Sequence, residues 1–523
     1  MLPIMLPNTL TSTVKQFTGG ILDLLFRARK LIFALIGMGM GYLIGSSAIG
    51  SRELHELVLS VCIIGLFMLI AFQYPFAAFL SWLFLNTFID SWVEIPLGKG
   101  IPDLSFGRLA VGLLFTSLLM RVSTRRLGLV PLSSTDFFAF LVPLGIALAA
   151  PLSVSPITTV QTAISFYLMP LAAFLLAKQL IRKEVHLDWC LGIIALFGTF
   201  AGAYALYETL TGNVLFLAKG AEVGRVLRGD TGVRLIVGLV GETGAMGRLL
   251  ATTLFVTIYI IMEDKNAYFK PLWLMGALLQ FGGLLATFSR TPLLAFILGL
   301  FILQFSYPAL RKVLVVLVLV VAATVGMNWQ QIQRTQVAQD RLSGLDSANG
   351  RTMRWEAGIR MWEARPIRGW GFGQYELMSG RFRTDGRRAN IHAVENDFLN
   401  ILVSTGLIGF APYLLFLLTG FWSSLRLFFR RKQLAVDGFI RPGTLALYWA
   451  IFACFMLGSF TAVNAQVVSR LIPFALIGAI IGTHQPMLAR RLGNQFPTAR
   501  TAVQTTAHTT ARTTVAPLPA QQP

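Results

Sequence analysis

FLNILVSTGLIGFAPYLLFLLTGFW, residues 398–422, contains no charged side chain. A helix needs roughly 18–20 apolar residues to cross the hydrocarbon core of a bilayer, and this run is long enough. An isolated strand would leave its backbone groups unpaired in lipid, so the run reads as a helix. Comparable spans lie near 31–48, 57–72, 76–93, 107–120, 136–150, 159–177, 189–207, 236–261, 271–288, 292–306, 313–328, 444–463 and 470–486. The division between 57–72 and 76–93 is the least sharp. The expected fold is an all-α, polytopic transmembrane helix bundle of about 12–14 spans.

Composition agrees with this reading. Of 523 residues, 55% are hydrophobic and 13% charged, and the mean hydropathy is +0.67. Soluble domains carry about 25% charged residues, and soluble helices need a polar face. The net charge of +20 raises nucleic acid as a partner. Cytoplasmic loops of membrane proteins collect lysine and arginine, however, so the bilayer is the expected partner and nucleic acid is not. Cys62, Cys190 and Cys454 all fall in apolar spans and form neither a disulfide framework nor a metal-ligand spacing. Leu31–Ala48 is followed by an acidic stretch and further apolar spans, so no cleavable signal is expected.

Charge also orders the topology. With the amino terminus inside, RVSTRR (121–126), KQLIRK (178–183), EDKNAYFK (263–270), LRK (310–312), RLFFRRK (426–432) and Arg490–Arg491 all fall in the cytoplasm. Short basic loops gather on one side in this way under the positive-inside bias. Five segments follow: a cytoplasmic, interfacial stretch at 1–30; helices at 31–328; a large periplasmic loop at 329–396; helices at 397–486; and a cytoplasmic tail at 487–523. The tail is rich in Thr, Ala, Pro and Gln and is expected to be disordered.

The large loop departs from the charge rule. Residues 329–395 hold eleven arginines, seven acids and no lysine. Long loops translocate regardless of charge, but the choice of arginine points to an anion held by a planar fork, as a phosphate is. Within the loop, NGRTMRWEAGIRMWEARP (349–366) reads as a helix capped by Asn349 and ended by Pro366. Trp355, Ile359 and Trp362 would share one face. The turn GWGFG (369–373) follows without the strand that a dinucleotide site requires.

Arg351, Trp355, Pro366, Gly369 and Gly371, followed by His392 and by ENDFLNILVSTGLIGFAPYLL from Glu395, together resemble the carboxy-terminal signature of the O-antigen ligase and polymerase superfamily. TFSRTPLLAF (287–296) is similar to that family's Thr-x-Ser-Arg motif, and RLIVG (234–238) is a weaker match. The strong similarity covers roughly residues 285–420. One position departs from the pattern: Glu395 stands directly before Asn396, where the family often has histidine, and His392 lies three residues earlier.

The resemblance implies transfer of a glycan from a polyprenyl-pyrophosphate carrier to an acceptor at the periplasmic face of a bacterial inner membrane. The acceptor would be another lipid-linked glycan or lipid A-core. Such chemistry needs cations for the departing pyrophosphate and a base for the acceptor hydroxyl. Arg290, Arg234, Arg351 and Arg354 are the candidate cations. His392 and Glu395 are the candidate bases, histidine titrating near neutrality and Glu395 being a carboxylate set among arginines. Asn396 is placed to order the turn or bind sugar hydroxyls. No cofactor or metal is expected, because the outer loops hold no His-Glu-x-x-His, Asp-x-Asp or cysteine pair. The alternative is a secondary transporter of a small anion such as bicarbonate. That fold would call for paired repeats and ionisable groups near mid-membrane, and Asp90 and Glu242 are the nearest acids.

Overall fold

A computed structural model describes residues 52–89, 94–95, 104–125, 127–153, 155–214, 227–228, 233–234, 236, 238–264, 268–287, 289–316, 319, 345–384, 394–429, 441–460 and 470–482. The amino-terminal stretch 1–30, the expected span at 31–48, residues 329–344 and the tail 487–523 lie outside these residues.

The apolar runs become helices, and proline and glycine set many of their ends. α1 (Arg52–Gln73) and α2 (Pro75–Ile89) are separated by Tyr74 alone. Pro75 lacks an N–H and disfavours helical backbone at the residue before it, which divides the two spans there. A two-residue antiparallel pair, β1 (Glu94–Ile95) with β2 (Leu104–Ser105), precedes α3 (Phe106–Ser123). α4 (Ser134–Ala149) opens on a capping box in which Ser133 and Asp136 satisfy each other's backbone N–H. α5 (Pro156–Ala163) passes through a π-turn at Ile164–Leu168 into α6 (Met169–Leu180). α7 (Glu184–Thr211) ends on Gly212 in the left-handed region. A second short pair joins β3 (Leu227–Arg228) to β4 (Val233–Arg234).

Next come α8 (Thr243–Glu263), α9 (Lys270–Ala286) and α10 (Arg290–Leu303). The expected span at 236–261 therefore starts late. Gly238–Val240 form a 3-10 turn, Gly241 has φ +75°, and Thr243 Oγ1 donates to the Ile236 carbonyl at 2.8 Å. In the large loop lie α11 (Leu345–Ala364) and α12 (Gln374–Met378), followed by the long α13 (Asp397–Phe429), α14 (Pro442–Ser459) and α15 (Arg470–Gly482). Among the described residues, six helical stretches are long and apolar enough to cross a bilayer: α3, Thr159–Leu180, α7, α8, α13 and α14. The chain is an all-α, multi-pass membrane protein.

Helices approach closely where side chains are small. A Cβ on Gly145 of α4 would lie 2.4 Å from the Ile408 carbonyl of α13, and one on Gly283 of α9 would meet Gly202 of α7 at 3.0 Å. Lipid offers no hydrophobic drive between helices, so backbone contact through small residues supplies the packing. Leu119, Phe140, Leu144, Leu278 and Leu298 are exposed along the spans, as side chains facing acyl tails should be.

Ionised side chains gather at both ends of the bundle. Arg121, Lys178, Lys270 and Arg441 sit at one end. There Arg441 binds Glu184 and Glu263, Tyr307 donates to Glu263 at 2.6 Å, and buried Lys178 pairs with Asp136. The first turns of α8, α10, α13 and α15 meet at the opposite end, together with the large loop.

Candidate functional site

The loop is fastened to the membrane helices through a break in one of them. Gly406 interrupts α13 with φ +60° and ψ −162°. The backbone freed there is taken up by the loop: Leu407 N donates to the Pro366 carbonyl at 2.9 Å and Ile408 N to that of Ile367 at 3.2 Å. In return Trp370 N donates to Val403 and Gly371 N to Ser404, at 2.9 and 2.8 Å. Non-helical backbone inside an apolar span is tolerable only when protein satisfies it. The glycines are required by this geometry. Gly369 has φ +68°, and a Cβ there would sit 2.5 Å from the Ser404 carbonyl carbon. The Pro-x-x-Gly-x-Gly run is thus a backbone dock and not a ligand loop.

A small core holds the rest of the loop over that dock. Ala357, Met361, Trp370, Tyr375, Val394, Leu399 and Val403 cluster together. Trp370 Nε1 donates to the Met361 carbonyl at 2.7 Å, and the Arg365 guanidinium lies 4.0 Å from the Trp370 ring centroid. Two expectations about α11 change. Asn349 lies inside the helix instead of capping it. The buried face is Ala357 and Met361, while Ile359 is exposed and Trp355 and Trp362 line the edge of the cluster. Gly358 explains the shift, because only a residue without Cβ lets α11 approach Leu399 and Val394 so closely.

This dock brings loop arginines to the start of α13. Glu395, at φ +49°, accepts from Arg351 Nε at 3.2 Å and also pairs with Arg354 Nη1. Asn396 is buried, and its Oδ1 accepts from Leu399 N at 3.1 Å, so it caps α13. Asp397 enters the bundle and pairs with Arg470 at 2.6 Å, the two side chains being 3% and 2% exposed. Arg470 also donates to the Phe166 carbonyl and stands 4.5 Å from the Tyr167 ring centroid. The π-turn in the α5–α6 rod supplies both of these groups.

A second cluster forms where α8 meets α10. Thr287 and Ser289 make the corner into α10, with Ser289 N donating to Thr287 Oγ1 at 3.3 Å. Arg290 opens the helix and is exposed, and among the described residues no hydrogen bond or ion pair holds it. Arg248, one turn and a half into α8, is 5% exposed. Its Nε and Nη2 are buried without a hydrogen-bond partner among the described residues. Glu242 precedes α8, and burial pushes its carboxyl above the ordinary range. Arg248 opposes that rise, whereas Glu395 and Asp397 add to it. These couplings tie the two clusters into one charged site.

The candidates named from sequence divide accordingly. Arg351, Arg354, Glu395 and Asn396 are brought together, and Arg290 lies at the same end. Arg234 is in β4, with its side chain outside the described residues, as is His392. Arg248, Asp397 and Arg470 were missed as site residues, and Glu242 was noted only as an acid near a span. The signal was present: a charge within an apolar span is costly, and Arg248 and Arg470 both stand inside spans read from sequence.

Among known proteins, the family model described as O-antigen ligase matches residues 275–414. No curated protein matches the chain. The matched interval holds Ser289, Arg290, Arg351, Arg354, Glu395, Asn396 and Asp397, and it includes both sides of the loop dock. Residues 275–414 of this multi-pass protein are thus similar to the O-antigen ligase family, a likeness that supports a membrane glycan transferase in general.

Proposed function

We propose that the protein moves a saccharide from a polyprenyl-pyrophosphate carrier to an acceptor hydroxyl at the periplasmic face of a bacterial inner membrane. It would act without metal, as an O-antigen or exopolysaccharide polymerase or an O-antigen ligase. The basic loop ends belong in the cytoplasm by the positive-inside bias, which puts the charged site outward and both termini inward.

One observation carries this reading. Arg248, Arg351, Arg354 and Arg470 face Glu242, Glu395 and Asp397 at one end of the bundle, where Arg290 opens α10. Five cations against three carboxylates leave two positive charges, the complement of a diphosphate diester. Arginine forks suit its oxygens, and fixed cations stabilise the charge that develops as it leaves. Arg290 has no partner among the described residues and opens a helix, so its guanidinium and the helix's amino-terminal N–H groups favour the same anion. Arg351 and Arg354, fixed by Glu395, close over it from the loop, with Arg234 at the rim. Asn396 keeps that turn in place. The acceptor proton must go to a base at this end, for which His392 and Glu395 are the sequence candidates. Both oxygens of Glu395 already hold guanidinium groups.

The test uses purified protein in liposomes with lipid-linked oligosaccharide, with and without lipid A-core, and without ATP or metal. A lengthened donor means polymerase and a tagged core means ligase. No product in either case, with an anion flux instead, replaces the enzyme with a transporter. Arg290→Ala should abolish turnover without loss of membrane insertion.

A further inference from the structure

From the space around Gly244 we infer that Glu242 is the acceptor-side base, with Arg248 and Ser289 completing a pocket for one sugar hydroxyl. The inference rests on the transfer reading above and assigns its proton acceptor. A Cβ built on Gly244 would lie 3.3 Å from Glu242 Oε1, 3.6 Å from Arg248 Nη1 and 4.0 Å from Ser289 Oγ. Three polar groups therefore surround one point that has no side chain. The carboxylate and the guanidinium are no farther apart than the sum of the first two distances, yet they form no ion pair. A group between them must accept from a guanidinium and donate to a carboxylate. A hydroxyl does both, whereas a phosphate oxygen would accept from Arg248 but meet Glu242 with like charge.

Arg248 cannot easily leave this position. Its side chain is 95% buried between α8 and α14, its Cδ lying 2.4 Å from where a Cβ on Gly458 would be. Its remaining buried nitrogens have no partner among the described residues, so the charge is fixed and aimed at the pocket through Nη1. Gly247 packs on Pro292 and Thr287, which holds the Ser289–Arg290 corner against the same turn of α8. The hydroxyl thereby sits at the corner that opens α10 on Arg290, the cation proposed for the leaving pyrophosphate, which has no partner among the described residues.

Glu242 differs from Glu395 in the property that matters. No hydrogen bond or ion pair among the described residues engages its carboxylate, which is open to an incoming hydroxyl, and desolvation raises its carboxyl towards a readier proton acceptor. The charged groups around it are Arg248, Glu395 and Asp397, with Arg290 at the neighbouring helix start. In the transfer, the hydroxyl proton passes to Glu242 as the acceptor oxygen bonds to the anomeric carbon. The bond from that carbon to the phosphate oxygen breaks, and its electron pair departs with the lipid pyrophosphate. The proton is then returned to water.

The experiment measures transfer from lipid-linked oligosaccharide in liposomes across pH, together with binding of sugar-free polyprenyl pyrophosphate. Glu242→Gln should lower kcat at least ~100-fold, the scale of general-base catalysis. It should also erase the acidic limb of the kcat/KM profile and leave polyprenyl-pyrophosphate binding within about twofold. His392→Ala should keep that limb. Gly244→Ala retains every charge and fills the pocket, so it should raise KM for the acceptor and leave carrier binding unchanged. Turnover of Glu242→Gln within threefold of wild type overturns the inference and leaves the transfer reading intact. An acidic limb lost in His392→Ala but kept in Glu242→Gln does the same. A wild type without product overturns both.

Discussion

Arg470 and Asp397 lie at the starts of two membrane helices, and their pairing is the most demanding contact at this end of the bundle. Replacing Arg470 by Met would leave the Asp397 carboxylate 3% exposed, with one oxygen, Oδ1, already without a hydrogen-bond partner. Removing one member of a buried pair costs about 3–5 kcal/mol, because the other charge stays buried and uncompensated. The same substitution forfeits the donation to the Phe166 carbonyl and the stacking on Tyr167. These belong within the range and are not added to it. A double substitution, Arg470→Met with Asp397→Leu, removes both charges and should recover most of the loss. Unfolding of detergent-solubilised protein by denaturing surfactant, followed by tryptophan fluorescence, gives all three free energies. The reasoning is refuted if Arg470→Met costs less than about 1 kcal/mol, the range of an exposed pair. It is refuted equally if the double variant is no more stable than the single one.

The loop dock makes a sharper local demand. Gly369→Ala places a Cβ 2.5 Å from the Ser404 carbonyl carbon at φ +68°. It should cost more than the ~1–2 kcal/mol of the left-handed conformation alone and, by loosening the docked backbone, speed tryptic cleavage after the already exposed Arg365 and Arg368. Unchanged proteolysis would contradict the dock. Burial raises the Glu242 carboxyl, so between its ordinary and raised values the folded state holds a proton that the unfolded chain has released. Stability should fall as pH rises through that window, and Glu242→Gln should flatten the slope in thermal melts. Arg351→Ala and Arg354→Ala each leave Glu395 one guanidinium, so either should slow transfer while helix insertion, read by protease protection, is unchanged.

Sequence alone determined the class of this protein. Charge-free runs of bilayer length have one economical solution, a helix, and the basic loops between them separate the two ends. The same reading singled out the arginine-rich loop, its helix and the Thr-x-Ser-Arg corner, because a lysine-free run of arginines, a helix stop and a helix entry leave local marks at Arg351, Pro366 and Ser289. It placed the helix face wrongly at Trp355–Ile359–Trp362, since the partner that selects Ala357 and Met361 is Leu399, forty residues away in another element. It read GWGFG as a turn and had no means of seeing that Gly369 and Gly371 fill the break at Gly406. Only the tertiary structure could match Asp397 with Arg470 or gather Glu242, Arg248 and Ser289 around Gly244. Spacing along a helix reports which face a residue occupies. Which charge stands opposite it depends on how distant helices cross, and no single helix records that.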